Sequence, residues 1–332
     1  MGIDSRLLTR SPRATIFGFI AFVAIAFASF TLTFAQQAPT SRATTRPTTR
    51  GAGRGAPVRY PQSVSPRDTL PFTPTEFTKL NPALPTLIIA GDSTADKGPD
   101  AAHRGWASVL IDYFDASKIN VINRARGGRS SRSFLHEGLW DPIVAAVKPG
   151  DIVMLQFGHN DGGNVTNANG RPDLAGNGDI TQDVTRADGT VETVHSFGWY
   201  TRKFVKDVQS KGGVAVIMAA TPYNRWTDGK FAHRPGDFAN IAKEVADQEK
   251  VQFMDHTAII GDRYDALGET TVKSFFMADA IHTNTFGAVV NAEAFVAGLK
   301  QLKIKTLVDA LNEKGNAIAA YEPVATTQPT SN

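Results

Sequence analysis

The chain has 332 residues, 42% hydrophobic and 20% charged, proportions that exclude wholesale disorder and collagen-like structure and allow one large domain or two small ones. It contains no cysteine, which excludes a disulfide scaffold, Cys-ligated zinc, iron–sulfur clusters and a thiol nucleophile. Residues 1–70 hold nine Arg, no Lys, and the acids Asp4 and Asp68, a charge of +7 in a chain of total +3, so residues 71–332 carry −4; a basic tail on a mildly acidic body argues against nucleic-acid binding by the folded part.

Residues 1–35 read as an export signal. Arg6, Arg10 and Arg13 form a positive n-region, residues 14–35 are apolar without a charge, and Thr33-Phe34-Ala35 offers a small-x-small cleavage site. The apolar run also approaches the ~20 residues of a membrane helix, so a retained anchor stays open as the alternative to cleavage. Either way the body is expected outside the cytoplasm, periplasmic, extracellular or membrane-anchored. Residues 36–74 are rich in Ser, Thr, Pro, Arg and Gly and predict a disordered linker. Residues 323–332 predict a disordered tail, which leaves one body over 75–322.

Within that body, short apolar runs at 84–90, 118–122, 151–155, 213–218 and 251–254 predict buried strands. Residues 106–114, 143–147, 197–208, 238–245 and 286–302 show apolar positions at helical spacing. The alternation predicts a parallel sheet covered by helices on both faces, a three-layer α/β/α sandwich. Ligands in such sheets bind outside the carboxyl ends of the strands.

The segments after the strands carry the chemistry. They are Gly91-Asp92-Ser93-Thr94, then Gly127-Gly128-Arg129-Ser130, then Gly158-His159-Asn160-Asp161, and near the C-terminus Asp279-Ala280-Ile281-His282. A serine hydrolase needs a hydroxyl, a base, a group orienting the base, and donors for the tetrahedral oxyanion. Ser93 at a strand-to-helix turn supplies a hydroxyl and a backbone N–H. Gly128, lacking a side chain, lets its N–H approach a substrate closely. Asn160 offers a side-chain N–H, His282 a base, and Asp279 can reach that imidazole within one turn. Each piece alone also reads as structure: turn formers, a loop before a helix, a surface Asp–His pair. Their order after successive strands favours catalysis.

That order resembles the SGNH (GDSL-type) hydrolase superfamily, and more closely the rhamnogalacturonan acetylesterases of carbohydrate esterase family twelve. The resemblance rests on Gly91-Asp-Ser-Thr94, Gly105-Trp106, Asn123-x-Ala125-x-x-Gly128-Arg-Ser130, Arg132-Ser-Phe134 and Gly138, on Phe157-Gly-His-Asn-Asp-Gly-Gly163 and Thr221-Pro222, and on Asp255-His256 and Asp279-x-x-His282-Thr283. It runs from about Leu87 to Leu299, and Ala107 departs from it where a Gly is expected. It implies Ser93 as nucleophile, His282 as base and Asp279 as its orienting carboxylate. The oxyanion hole would be Ser93 N–H, Gly128 N–H and Asn160. The resemblance further implies a flavodoxin-like sandwich and no metal or cofactor.

Other residues are weighed for substrate contact. Arg129 and Arg132 flank the oxyanion loop and are expected to meet an acidic polymer, with pairing to local carboxylates as the alternative. The polar stretch 162–194 offers Asn164, Asn167, Asn169 and Arg171 for sugar hydroxyls or uronate carboxylates, against the alternative of an unstructured insertion. Trp226, after Pro222-Tyr223-Asn224-Arg225, is a candidate stacking platform. His159 and Asp161 read as organisers of their loop, and Asp92 as a brace of the Ser93 turn.

The expected protein is an exported, monomeric serine esterase that removes O-acetyl groups from a pectic polysaccharide, rhamnogalacturonan first. Its partner is the acetylated polymer, with no nucleic acid, and membrane contact only through the N-terminal segment. Two alternatives stay open: the same chemistry on another ester, such as acetyl-xylan or a lipid, and a non-catalytic carbohydrate-binding surface protein on a degenerate hydrolase fold.

Overall fold

The computed structural model describes residues 80–100, 102–232 and 237–323. The predicted signal or anchor (1–35), the predicted linker (36–74) and most of the predicted tail lie outside the described residues.

Each predicted strand forms. They are β1 (Thr86–Gly91), β2 (Asn120–Asn123) and β3 (Ile152–Gln156), then, after an insertion holding β4 (Thr181–Thr185) and β5 (Val191–His195), β6 (Val214–Met218). A small hairpin of β7 (Trp226–Thr227) and β8 (Lys230–Phe231) precedes the last sheet strand, β9 (Gln252–Met254). The main sheet runs β2-β1-β3-β6-β9 with every pair parallel. Helices α1 (Ser131–His136) and α2 (Asp141–Ala146) link β2 to β3, α3 (Phe197–Ser210) precedes β6, and α4 (Asp237–Glu249) precedes β9. Beyond it come α5 (His256–Leu267), α6 (Glu269–Lys273) and α7 (Thr285–Leu302).

The strand pleat sorts the core into two layers. Ile88, Ala90, Val153, Leu155, Ala215 and Ile217 face Phe134, Ile143, Phe204, Val208 and Val245 from α1 to α4. The alternate residues Leu87, Ile89, Ile152, Met154, Val216 and Met218 face Trp106 and the α5 and α7 residues Ile259, Ile260, Phe295 and Leu299. Burial on both faces is why these strands read as near-continuous apolar runs. The three-layer sandwich with a flavodoxin-like strand order is therefore the observed fold. Its order reverses direction between β1 and β3, which makes the carboxyl ends of those two strands the place for a ligand.

Two segments differ from expectation. Residues 106–114 form two short 3₁₀ turns, Trp106–Ser108 and Leu110–Tyr113, in place of a helix. Tertiary donors capture carbonyls that a longer helix would use: Asn312 N–H binds Tyr113 O at 3.1 Å and Asn312 Nδ2 binds Asp112 O at 2.9 Å. Within the 162–194 insertion, β4 and β5 pair antiparallel, with Val184 and Val194 packed on Val165 and Leu174. The signal was present, since Asp188-Gly189 lies between two alternating β-branched stretches.

Arg132 ties this hairpin to α1. Its Nε and Nη2 donate to Glu192 Oε1 and Oε2 at 2.9 and 2.7 Å, and its Nη1 donates to Val165 O and Pro172 O at 3.0 and 2.7 Å. The Arg132 side chain is 1% exposed, so the expectation that it meets a polymer is corrected: it is a buried structural cation. Removing one partner of a buried ion pair costs about 3–5 kcal/mol. Glu192 keeps Arg186 at 2.7 Å, which places Arg132→Ala at the low end of that range. Arg132→Ala should lower unfolding free energy in urea accordingly and open residues 162–195 to protease; a wild-type urea midpoint and cleavage pattern would show that the pair does not hold the hairpin.

Candidate active site

β1 ends at Gly91, where a Cβ would stand 2.8 Å from Gln156 O on β3, so the strand can only leave the sheet here without a side chain. The chain then turns tightly. Ala95 and Asp96 N–H donate to Asp92 O at 3.2 and 3.0 Å, and Asp92 Oδ1 accepts from Thr94 N and Oγ1 at 2.9 and 2.8 Å. Thr94 Oγ1 in turn accepts from Gln156 Nε2 at 2.7 Å, and Gln156 Oε1 accepts from Trp106 Nε1 at 2.8 Å. Asp92, Gln156 and Trp106 are all fully buried. Asp92 is thus the brace expected of it, and Ser93 stands on a fixed turn.

Ser93 Oγ lies 2.8 Å from His282 Nε2, and His282 Nδ1 lies 2.7 Å from Asp279 Oδ2. With Nδ1–H on a carboxylate, Nε2 is the lone-pair nitrogen facing the hydroxyl. Asp279 Oδ1 accepts from Ile281 and His282 N–H, both at 2.7 Å. Partial burial would raise the Asp279 pKa, but hydrogen bonds from the His282 imidazole and from those two amides outweigh it and bring it down to about 2. The carboxylate therefore stays ionised wherever the imidazole needs it. This loop is docked onto the segment after the Ser93 turn. Arg104 N–H donates to Thr283 O at 2.6 Å, Thr283 Oγ1 donates to Arg104 O at 2.8 Å, and Trp106 N–H donates to Thr94 O at 3.0 Å.

The candidate oxyanion donors come from the Ser93 turn itself and from two other loops. Ser93 N–H and Gly128 N–H have no acceptor among the described residues. Gly128 takes φ +74°, and Gly127 N–H beside it is held by Asp96 Oδ2 at 2.9 Å. Asn160 Nδ2 donates to Arg129 O at 3.2 Å, which aims the amide and leaves its second N–H free. Asp161 joins the two loops, its Oδ1 accepting from Ser131 N–H and its Oδ2 from Gly158 N–H, each at 2.8 Å. A hydroxyl on a base, a base on a carboxylate, and unpaired donors nearby are the parts of acyl transfer.

Residues 89–290 match the model of the GDSL-like lipase/acylhydrolase family, more than half of the chain. The chain belongs to that family. It is 38% identical over 212 residues to the rhamnogalacturonan acetylesterase of Emericella nidulans, covering 64% of this chain and 83% of that one. It is 25% identical over 234 residues to the probable rhamnogalacturonan acetylesterase YesY of Bacillus subtilis, covering 69% of this chain and 98% of that one. Among solved structures, the YxiM protein of Bacillus subtilis shares the fold with a TM-score of 0.54 at 23% identity, over 68% of this chain and 58% of that one. As a member of the GDSL-like family, the protein is a carboxylic ester hydrolase.

The remaining predicted residues sit differently from Ser93, Gly128, Asn160, Asp279 and His282. Arg129 is turned onto its own loop: Nε and Nη2 bind Glu137 at 2.8 and 2.7 Å and Nη1 binds Gly127 O at 2.9 Å, the local pairing that was its alternative reading. Arg132 is buried away from the site, as described above. Asn164 Oδ1 closes a turn with Thr166 N and Oγ1 at 3.0 and 2.8 Å. The Trp226 indole packs edge-on to Phe231 at 5.2 Å, and its segment reaches the His282 loop through Asn224 N–H to Ala280 O at 2.8 Å.

Two residues, His103 and Asp173, escaped the sequence reading, and Arg171, named there for sugar or uronate contact, is given its place only by the fold. His103 stands beside His282 with ring centroids 5.2 Å apart, its Nδ1 on Asp100 Oδ1 at 2.7 Å. The repeated Asp-x-x-His spacing was its signal. One ligand atom from each of His103, Asp279 and His282 lies within 4.8 Å of the others, so a cation there would take atoms the Ser93–His282–Asp279 relay already uses. The Arg171 guanidinium lies against Gly128, where a Cβ would stand 2.9 Å from Nη2. Asp173 accepts from Ser131 Oγ at 2.7 Å and lies buried against Asp161.

Burial raises the pKa of both Asp161 and Asp173; the charge of Asp161 pushes Asp173 up further, and the charge of Asp92 adds to the rise at Asp161. Hydrogen bonding between the two carboxyls favours the proton on Asp173, donated to Asp161, and Asp173 Oδ1 has no hydrogen-bond partner among the described residues. A carboxyl raised in the folded state makes stability greatest below the unfolded pKa and lets it fall as pH rises through the folded value. Thermal unfolding should therefore shift downward in temperature from about pH 4 toward neutrality, and Asp173→Asn should flatten that fall. Parallel curves for the two proteins would refute the shared proton. Gly128→Ala should be harmful twice over. Its φ costs a Cβ-bearing residue roughly 1–2 kcal/mol, and a misplaced N–H costs about 10²–10³ in kcat, read on a nitrophenyl acetate ester.

Proposed function

We propose that this protein is an exported polysaccharide acetylesterase that removes O-acetyl groups from a pectic polymer, rhamnogalacturonan first, through an acetyl-serine intermediate. The observation that carries the reading is the Ser93–His282–Asp279 relay, with contacts of 2.8 and 2.7 Å, beside the unpaired N–H groups of Ser93 and Gly128. Ser93 Oγ attacks the acetyl carbonyl while His282 Nε2 accepts its proton. The oxyanion is held by Ser93 N–H, Gly128 N–H and Asn160 Nδ2. Collapse of the tetrahedral species breaks the ester C–O bond, and His282 returns the proton to the departing sugar hydroxyl. Water, deprotonated by His282, then attacks the acetyl-serine and acetate leaves.

The substrate class is supported by the two relatives named for rhamnogalacturonan acetyl groups, one of them at 38% identity. The half-exposed relay suits a polymer presented from outside: the His282 and Asp279 side chains are 23% and 40% exposed. Export rests on the apolar run 14–35 after three arginines. The intact relay disfavours a purely carbohydrate-binding role.

Acetate release from acetylated rhamnogalacturonan, with acetyl-xylan in parallel, tests this reading. Ser93→Ala should reduce release by at least ~10³-fold while leaving the unfolding midpoint near wild type. Release from xylan alone would move the substrate and keep the chemistry. Undiminished release by Ser93→Ala would sink the mechanism.

A further inference from the structure

We infer that Arg171 forms a carboxylate-binding subsite at the rim of the oxyanion hole, which takes the uronate group of an acidic polysaccharide beside the ester being cleaved. The inference rests on the acetylesterase reading and says what distinguishes an acidic backbone from a neutral one.

Arg171 is a partly buried cation that its described neighbours leave without a partner. Arg129, Arg132 and Arg186 each hold a carboxylate at 2.7 Å. The Arg171 guanidinium, half-buried, has neither an ion pair nor a side-chain hydrogen bond among the described residues. A half-buried charge without a partner is costly, and a guanidinium's forked donors match a carboxylate in two parallel bonds. Its place is specific. A Cβ on Gly128 would be 2.9 Å from Nη2 and 3.2 Å from Cζ, so the guanidinium lies against the residue whose N–H faces the reacting carbonyl.

The backbone that presents Arg171 is immobilised from both sides. Arg171 N–H is held by Asn169 Oδ1 at 3.1 Å. Pro172 O accepts from the buried Arg132 Nη1 at 2.7 Å, and Asp173 N–H donates to Asp161 O at 2.8 Å. A free cation on a rigid strap beside an oxyanion hole is a preorganised anion site. Rhamnogalacturonan carries a carboxylate on each galacturonic acid residue, and xylan's main chain carries none.

The test compares the full-length wild type with Arg171→Gln and Arg171→Lys. Three readouts are kcat/KM on acetylated rhamnogalacturonan, kcat/KM on 4-nitrophenyl acetate, and inhibition of the small-ester reaction by unacetylated oligogalacturonate. Arg171→Gln should lose about 10- to 100-fold on the polymer, mostly through KM, the span expected for one charge-assisted hydrogen-bonded contact. Its loss on the small ester should be at least about tenfold smaller, Arg171→Lys should recover part of the polymer activity, and oligogalacturonate should inhibit wild type far better than Arg171→Gln. Equal losses on polymer and small ester would overturn the subsite, because Arg171 would then serve the oxyanion or the fold. Equal inhibition of the two proteins by oligogalacturonate would also overturn it. Arg171-dependent inhibition in an enzyme that releases nothing from rhamnogalacturonan would keep the subsite and overturn the substrate reading. Full polymer activity in Arg171→Gln would do the reverse.

Discussion

A line of buried hydrogen bonds carries the site: Trp106 Nε1–H to Gln156 Oε1, Gln156 Nε2–H to Thr94 Oγ1, Thr94 Oγ1–H to Asp92 Oδ1. Every donor and acceptor role along it is forced, because an indole N–H only donates and a carboxylate only accepts. The Gln156 amide thus has one orientation and the Thr94 hydroxyl one rotor. Since the line joins the end of β3 to the turn after β1, the two strands that flank the switch in sheet order are locked together where Ser93 leaves the sheet. A gap in such a network strands buried polar groups, which is costlier than the bond itself.

The other loops are registered to that turn. Thr283 and Arg104 exchange two hydrogen bonds, so the His282 loop cannot drift from the Ser93 turn without breaking both. Asp96 holds Gly127, and Asp161 holds Ser131 and Gly158 at once. Carboxylates perform these tasks in opposite electrostatic states. Asp279, given three donors near the surface, is kept charged, whereas Asp161 and Asp173, buried side by side, favour a shared proton. Environment decides which state each adopts, not residue type. The insertion follows the same logic. Arg132 is spent inside it, and that burial converts a polar stretch into a rigid strap carrying Arg171 to the oxyanion loop.

Much of this was legible in the residues. The five strands of the main sheet announce themselves as apolar runs because both sheet faces are covered, and α7 does so as an eighteen-residue segment with mostly buried positions. Ser93, Gly128, Asn160, Asp279 and His282 could be singled out because each follows a strand or precedes a helix, where a parallel sheet places its ligands. The 106–114 segment misled because its apolar spacing fits either helix type, and only Asn312 from far along the chain claims its carbonyls. Helix α5 was missed because its apolar residues form no clean stripe: it is covered by the sheet, α7 and the β8 strand together.

What the sequence by itself determined is the layer order of the fold and the identity of the reactive groups, since both depend on local patterning and on position relative to strand ends. Tertiary structure alone decided which arginine is free. Arg129, Arg132 and Arg171 are indistinguishable as letters. Only the folded chain brings Glu137 to the first and Glu192 to the second and leaves the third against Gly128. The pairing of a long cationic side chain is set by which carboxylate the fold places within about 4 Å of it, and that is a property of three-dimensional proximity that spacing along the chain does not encode.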